Sequence, residues 1–464
     1  MDGSQLLVSV PPQAASEAAL RADVLSSYLH LVTPEFVARL LRQEKVQQNN
    51  RLYNPRVVTW LMAYQRLHGN ASMERAVANV VHGLPAELWP RPCKRRRENQ
   101  VSSNDGSYSR ARQELPVGVV EQIAGRVLEG LLAQTGGAAR VCGRRAFLVD
   151  GTSLRAPHRP QTKQEFPPTS NQHGESHWPV VKLLVAHDLE TGLAMPPVWG
   201  AMSGAQAVSE QGLFETLLGQ GVPAGALVVG DINFGVFSVA YAADQRGHPV
   251  VLRMQEQRAR ALLNGPLVDG LDRELEWRPS RDDRKSHPDL PADACVRGRL
   301  LVMLVRPDNG ADAFLLALFT TQPAAEASGE DLLQTYGRRW NIELDLRTLK
   351  STLQLEQLTC TSPDMIAKEI HAAMITYNLV RAVMYAAAAQ AGIEPRRYSF
   401  ARVRNVVEHF LPFIAAAKTP EEAQALTDKM MYCVGQKKLR NRKGRRSYPR
   451  AVWGRPRTFP AQKA

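Results

Sequence analysis

Two short segments, Ala146-Phe147-Leu148-Val149 and Ala226-Leu227-Val228-Val229, are apolar at every position and run into an acid, Asp150 directly and Asp231 after Gly230. A run this short with no polar alternation reads as a buried strand of a covered sheet. Two more strands are expected at 180–186 and 193–199, joined by the turn His187-Asp188-Leu189-Glu190-Thr191-Gly192. A helix at about 207–219, with Leu213, Phe214, Leu217 and Leu218 as its apolar positions, leads into the second apolar strand. A helix near 235–245 and a strand at 249–254 follow. Three strands, helix, strand, helix, strand specify a mixed α/β fold whose sheet is covered by helices.

Residues 255–322 read as a β-type insertion, in which strands at 300–306 and 313–320 flank the turn Pro307-Asp308-Asn309-Gly310. After Ser328-Gly329 one long helix is expected to about residue 353, and 364–391 is helical again. The first hundred residues are helical. Thr33-Pro34-Glu35 and Asn54-Pro55 each supply an N-cap followed by a proline at the first turn. Gly69-Asn70 separates the second of these helices from a third, which carries Met73, Val77, Val80 and Val81. That pair is either a DNA-reading helix-turn-helix or plain packing helices. A polar, basic joint at 91–110 and a helix near 116–134 complete the N-terminal part.

The chain carries a net charge of +13, so its field attracts polyanions, and the distribution matters more than the total. Beyond Val434 stand Lys437, Lys438, Arg440, Arg442, Lys443, Arg445, Arg446, Arg450, Arg455, Arg457 and Lys463 with no acid among them. A second run, Lys94-Arg95-Arg96-Arg97, lies in the joint. Both are either solvated segments or phosphate-backbone contacts. The five cysteines are scattered without a C-x-x-C pair, which argues against a disulfide framework or a zinc site. No uninterrupted apolar run reaches the roughly 18–20 residues of a membrane span, and residues 1–10 do not resemble a secretory signal. A cytoplasmic location is expected. No G-x-x-x-x-G-K-[ST] loop occurs, so no nucleotide cofactor is inferred.

Side chains leaving neighbouring strand ends can converge at one crevice, which makes Asp150 and Asp231 candidates for a shared site. The late helix adds Tyr336, Arg339, Glu343, Arg347 and Lys350, whose offsets of 3, 7, 11 and 14 residues put all five on one stripe. Such a stripe is either a solvated face laced with ion pairs or the border of a cleft, with Leu346 and Leu349 buried beside it. Three carboxylates offer hard oxygens suited to Mg²⁺ or Mn²⁺. Two such ions about 3.5–4 Å apart serve in-line displacement at phosphorus, with basic side chains one turn away to position the phosphate. That is phosphodiester chemistry.

Tyr336-x₂-Arg339-x₃-Glu343-x₆-Lys350 resembles the Y-(2)-R-(3)-E-(6)-K signature of the IS4 family of insertion-sequence transposases, with no error of spacing. Val149-Asp150-Gly151-Thr152 resembles that family's first-aspartate motif, Val229-Gly230-Asp231-Ile232-Asn233-Phe234-Gly235 its second, and Tyr377-Asn378-Leu379-Val380-Arg381 a downstream segment. The resemblance implies an RNase H-like catalytic core with a β-rich insertion, an N-terminal all-helical domain and a helical C-terminal region. It implies Asp150, Asp231 and Glu343 as metal ligands for two Mg²⁺ or Mn²⁺ ions, and Tyr336, Arg339 and Lys350 as phosphate contacts, with Arg347 beside them. The activity implied is cleavage at transposon ends and insertion into a target, within a synaptic complex of two copies on double-stranded DNA in a bacterial cytoplasm, at the nucleoid when bound. Where the family commonly has Arg after the second Asp, this chain has Ile232. The family also holds a flipped base on a Trp of the insertion, and Trp277 is either that platform or a core residue. Further candidate DNA contacts are Lys94, Arg95, Arg96 and Arg97, and Arg442, Arg445 and Arg446. The expected organisation is a helical, candidate end-binding part at 1–110, a core at 111–254 and 323–395, the insertion at 255–322, and a helical C-terminal region with the basic tail at 396–464. A catalytically inactive DNA-binding derivative and a structure-specific nuclease on the same fold are the alternatives.

Overall fold

The computed structural model describes residues 23–46, 51–138, 140–171, 174–306 and 312–439. Its centre is one mixed sheet. The strands are β1 (Ala146–Arg155), β2 (Pro168–Asn171), β3 (Gly174–Asp188), β4 (Val198–Ala201), β5 (Leu227–Gly230), β6 (Val250–Arg253), β7 (Leu271–Trp277), β8 (Val296–Val305) and β9 (Phe314–Thr320). β1, β3 and β4 form an antiparallel meander, and β5 and β6 then join parallel to β1. The resulting order β4-β3-β1-β5-β6 is that of an RNase H-like core. Phe147, Leu148 and Val149 of β1 and Leu227, Val228 and Val229 of β5 are all 0% exposed, which is why their sequences show no polar alternation.

Two strand expectations need correction. Residues 174–179, outside the strand expected at 180–186 and rich in Gly, Ser and Pro, are the start of β3, paired with β2 from Pro168↔Pro179 to Asn171↔Gly174. β1 also does not end at Asp150 but continues to Arg155, held on its far side by β3. Local composition favours a turn in both places, and the long β3 overrides it by supplying a partner.

The segment 255–322 extends the same sheet. β9 pairs with β6 (Val251↔Thr320), β8 with β9, and β7 with β8, giving the order β6-β9-β8-β7. The turn Pro307-Asp308-Asn309-Gly310 lies outside the described residues.

The N-terminal helices are α1 (Val24–Leu31), α2 (Pro34–Gln43), α3 (Pro55–Leu67), α4 (Met73–Gly83), α5 (Lys94–Arg97), α6 (Gly106–Glu114) and α7 (Val117–Gln134). Thr33 and Asn54 cap α2 and α3 by accepting from the amides of Phe36 and Val57. Within the core region follow α8 (Pro160–Glu165), α9 (Glu210–Gly219), α10 (Phe237–Gln245), α11 (Glu256–Leu263) and α12 (Arg281–Ser286). The chain then forms α13 (Gly329–Gly337), α14 (Trp340–Arg347), α15 (Pro363–Ala391), α16 (Phe400–Ala415) and α17 (Pro420–Gly435).

α15 joins the two halves. It packs against α1, α3 and α7 on one side, and Asn378 holds the backbone of Ala194, just before β4, on the other. The helix is long and apolar enough to cross a membrane by composition, yet nearly all of it from Ile366 to Ala388 is buried within the fold. Arg66 of α3 and Glu369 of α15 form a buried ion pair, and Glu369 also accepts from the amides of Thr359 (2.9 Å) and Cys360 (2.9 Å).

Candidate active site

The last parallel pair between β1 and β5 is Val149↔Gly230, and the next residue on each strand is an aspartate. Asp150 and Asp231 therefore leave adjacent strands at one level, where the sheet opens. Asp150 Oδ1 accepts from its neighbour's amide, Gly151 N, at 2.8 Å, and Asp231 Oδ1 accepts from Asn233 N at 2.9 Å, closing an Asx turn. Gly235 lets that turn return close to β6, since a Cβ there would stand 2.1 Å from the Arg253 carbonyl oxygen. Burial pushes the Asp150 carboxyl up to about 6; the Gly151 amide opposes this, the Asp231 and Glu210 charges add to it, and Arg339 offsets them. Like charges crowded in a half-buried crevice are the state a divalent cation relieves.

The single helix expected from 329 to 353 is broken. α13 ends at Gly337, and the joint runs on shorter i→i−3 bonds, from Arg339 N to Tyr336 O (2.9 Å) and from Ile342 N to Arg339 O (3.0 Å). α14 then packs against β1, and a π-helical turn follows at Thr348–Thr352. Tyr336 is buried, with its hydroxyl closed off from solvent and lacking a partner at strict hydrogen-bonding geometry among the described residues. Burial raises its pKa, against the nearby cations Arg339 and Arg253 and with the charge of Asp231. Arg339 Nη2 donates to Glu343 Oε1 at 3.3 Å. Arg347 is exposed and Lys350 half-buried, and neither forms an ion pair among the described residues. No three His, Cys, Asp or Glu side chains among the described residues stand close enough to hold an ion as they are. Two aspartates are juxtaposed and Glu343 is turned to Arg339.

A buried network fixes α14. Asp345, 0% exposed, is ion-paired with Arg381 of α15 and accepts from Arg396 Nη2 (2.9 Å) and Nη1 (3.1 Å). Burial alone would raise its pKa, but Arg396 and Arg381 hold it below the usual carboxylate range. Arg381 Nε donates to the Tyr377 hydroxyl at 2.9 Å, and Arg396 donates to the carbonyls of Leu189 (2.6 Å) and Asp188 (2.9 Å). Arg338, in the helix joint, grips Glu190 of the same turn at 2.5 and 2.8 Å. The Tyr377-Asn378-Leu379-Val380-Arg381 segment thus ties α14, through Asp345 and Arg396, to the end of β3.

Two groups of candidate DNA contacts fall elsewhere. Trp277 is a core residue, 2% exposed, edge-on to Phe319 (4.8 Å) and Phe237 (5.9 Å), so it offers no face to a base. In α5, Arg96 is engaged internally: it donates to the Leu84 carbonyl at 2.8 Å and lies over the Trp89 ring at 3.6 Å. Lys94, Arg95 and Arg97 are exposed, well away in sequence from the acids. Arg442, Arg445 and Arg446 lie outside the described residues. Sequence reasoning missed Glu210, whose position in the first turn of α9 looks like ordinary dipole compensation, and Arg253 at the end of β6. It also passed over Trp340, which is 53% exposed and sits three residues before Glu343.

An RNase H-like sheet with carboxylates where its two central parallel strands open, and a third on a helix laid against them, defines a class: nucleases and strand transferases acting on phosphodiesters. Residues 142–379 match the family described as Transposase DDE domain. The chain is 26% identical over 330 residues, 69% of its length and 70% of the relative's, to the transposase InsG of insertion sequence element IS4 from Escherichia coli strain K12. Among solved structures, the piggyBac transposase synaptic complex with hairpin DNA aligns over 89% of this chain and 85% of that one, at 12% identity and a TM-score of 0.43. The family match spans more than half of the chain, and the protein belongs to the DDE transposases, in the IS4 family. That family generally uses divalent metal ions, and the donor chemistry fits one: hard carboxylate oxygens, crowded and with no ion pair to Asp150 or Asp231 among the described residues.

Proposed function

We propose that this transposase cuts double-stranded DNA at the ends of a mobile element and joins the freed ends to a target, using Asp150, Asp231 and Glu343 to hold two Mg²⁺ or Mn²⁺ ions. The observation that supports the reading is the register: both aspartates directly follow the Val149↔Gly230 pair, and α14, the helix that carries Glu343, packs against β1. When bound, such ions supply activation of a water or 3′-hydroxyl and offset charge on the leaving oxygen. The chain's own residues do the rest. Arg339 holds Glu343 in the free protein; a scissile phosphate on Arg339 competes for that guanidinium and releases Glu343 toward the aspartates. Lys350 and Arg347, without acidic partners, take neighbouring phosphates as point charge and fork. The buried Tyr336 hydroxyl gains an acceptor in the same step. Trp340 offers the exposed ring that Trp277 does not. Two copies acting on paired ends, and end recognition through 1–110, belong to the same proposal, as does work in a bacterial cytoplasm.

The test is metal-dependent cleavage of the element's own end sequence. Asp150→Ala, Asp231→Ala and Glu343→Ala are each expected to lower cleavage by at least about a thousand-fold while DNA-end binding stays within a few-fold of wild type. A variant that still cuts at the wild-type rate removes its residue from the site.

A further inference from the structure

A fourth acid stands at the same crevice. Gly151, beside Asp150, has no left-handed backbone to explain a glycine. What it has is a neighbour: a Cβ there would lie 2.6 Å from Glu210 Oε1 and 3.0 Å from its Cδ. The glycine makes room for the Glu210 carboxylate over the strand at the aspartate.

Glu210 is placed by three contacts it does not make itself. Ser209 caps α9, accepting from Gly212 N at 2.9 Å, so the cap does not need Glu210. Lys182 of β3 donates to the Val208 carbonyl at 2.7 Å, pinning the segment that enters the helix. Gln211 Nε2 donates to the Asn233 carbonyl at 3.0 Å, tying the first turn of α9 to the Asx turn of Asp231. Glu210 therefore sits between the two aspartate-bearing segments. It is half-buried and has neither a hydrogen bond nor an ion pair among the described residues. Tyr336, a residue 8% exposed, holds its hydroxyl near Arg253, Arg339 and Asp231 with no partner at strict hydrogen-bonding geometry among the described residues.

A carboxylate of purely structural use would engage a cap, a guanidinium or water. This one stands near two other acids, Asp150 and Asp231, with Lys182 close enough to offset part of their charge. We propose that Glu210 is a fourth carboxylate of the cation site, binding the divalent ion together with Asp150 and Asp231. The proposal rests on the reading of Asp150 and Asp231 as metal ligands. It assigns the glycine of the first-aspartate motif a purpose: admitting the fourth acid.

The experiment is Mn²⁺ binding to the full-length protein without DNA, followed by calorimetry or by loss of the free-ion EPR signal, for wild type, Glu210→Gln and Asp150→Asn. Melting of each variant in EDTA reports the fold independently. Glu210→Gln is expected to melt in EDTA at or above the wild-type temperature and to bind Mn²⁺ about 10- to 100-fold more weakly. Its cleavage optimum should move to correspondingly higher Mn²⁺. Gly151→Ala, which displaces the carboxylate while leaving Glu210 in the chain, should weaken Mn²⁺ in the same direction. Wild-type Mn²⁺ affinity in Glu210→Gln, with affinity lost in Asp150→Asn, overturns the role of Glu210 and leaves the aspartates standing. Wild-type affinity in both overturns the two together.

Discussion

Asp150 is the residue whose ionisation most directly links site and stability. Its folded pKa, pushed up to about 6 from an ordinary 3.8 by burial and then by neighbouring acids, means the fold binds its proton more tightly than the unfolded chain does. The resulting stabilisation is complete below about pH 4 and is lost as pH rises through 6. In EDTA, Asp150→Asn should therefore melt above wild type at pH 7.5, by a few degrees, with the gap closing toward pH 4.5. An equal gap at both values would contradict the assignment. A proton and a divalent ion compete for the same oxygens, so Mn²⁺ affinity should fall as pH drops below about 6. At this scale the sequence was legible where residue type and strand position coincide: Asp150 and Asp231 follow apolar runs that could only be buried. Glu210 was not legible, because its significance is a contact with Gly151, 59 positions earlier, and not a spacing. Trp277 misled for the opposite reason: its membership of the insertion is visible in sequence, whereas its ring packing on Phe319 is not.

The stripe on the late helix shows how far periodicity carries an element. Offsets near 3.6 residues grouped Tyr336, Arg339, Glu343, Arg347 and Lys350 on one stripe, but they assume a straight helix, and this one breaks after Gly337. The cause lies in partners far along the chain: Arg338 bonds Glu190 at a separation of 148 residues, and Asp345 bonds Arg381 and Arg396. No local window contains those partners. Two guanidiniums depending on one buried carboxylate make the network costly to open. Asp345→Ala should destabilise the protein by roughly 3–5 kcal/mol in urea unfolding, since it leaves Arg381 and Arg396 buried without a counter-charge. A loss below about 1 kcal/mol would show that water reaches and compensates them. The β-type insertion was legible as strands, since 300–306 and 313–320 alternate little and flank a turn. Its continuity with β6 was not, because which strand pairs with which is decided across the sheet.

For the whole molecule, net charge is the sequence property with the longest reach. Residues 440–464 carry nine Lys and Arg and no acid. Removing them, while keeping the Tyr398↔Lys438 bridge, should weaken DNA binding and flatten the slope of log affinity against log salt by about 0.9 for each phosphate the tail neutralises. An unchanged slope would assign the tail to something other than DNA. The mixed sheet and the helical flank were both anticipated from patterning, yet their union through α15 was not. α3 and α7 close their apolar faces on a helix that begins at Pro363, whereas α7 is complete by Gln134. At about 5–20 residues per second, a ribosome leaves those faces naked for on the order of ten to fifty seconds. Any message cut short upstream of that helix would leave the apolar faces of α3 and α7 without the partner that buries them.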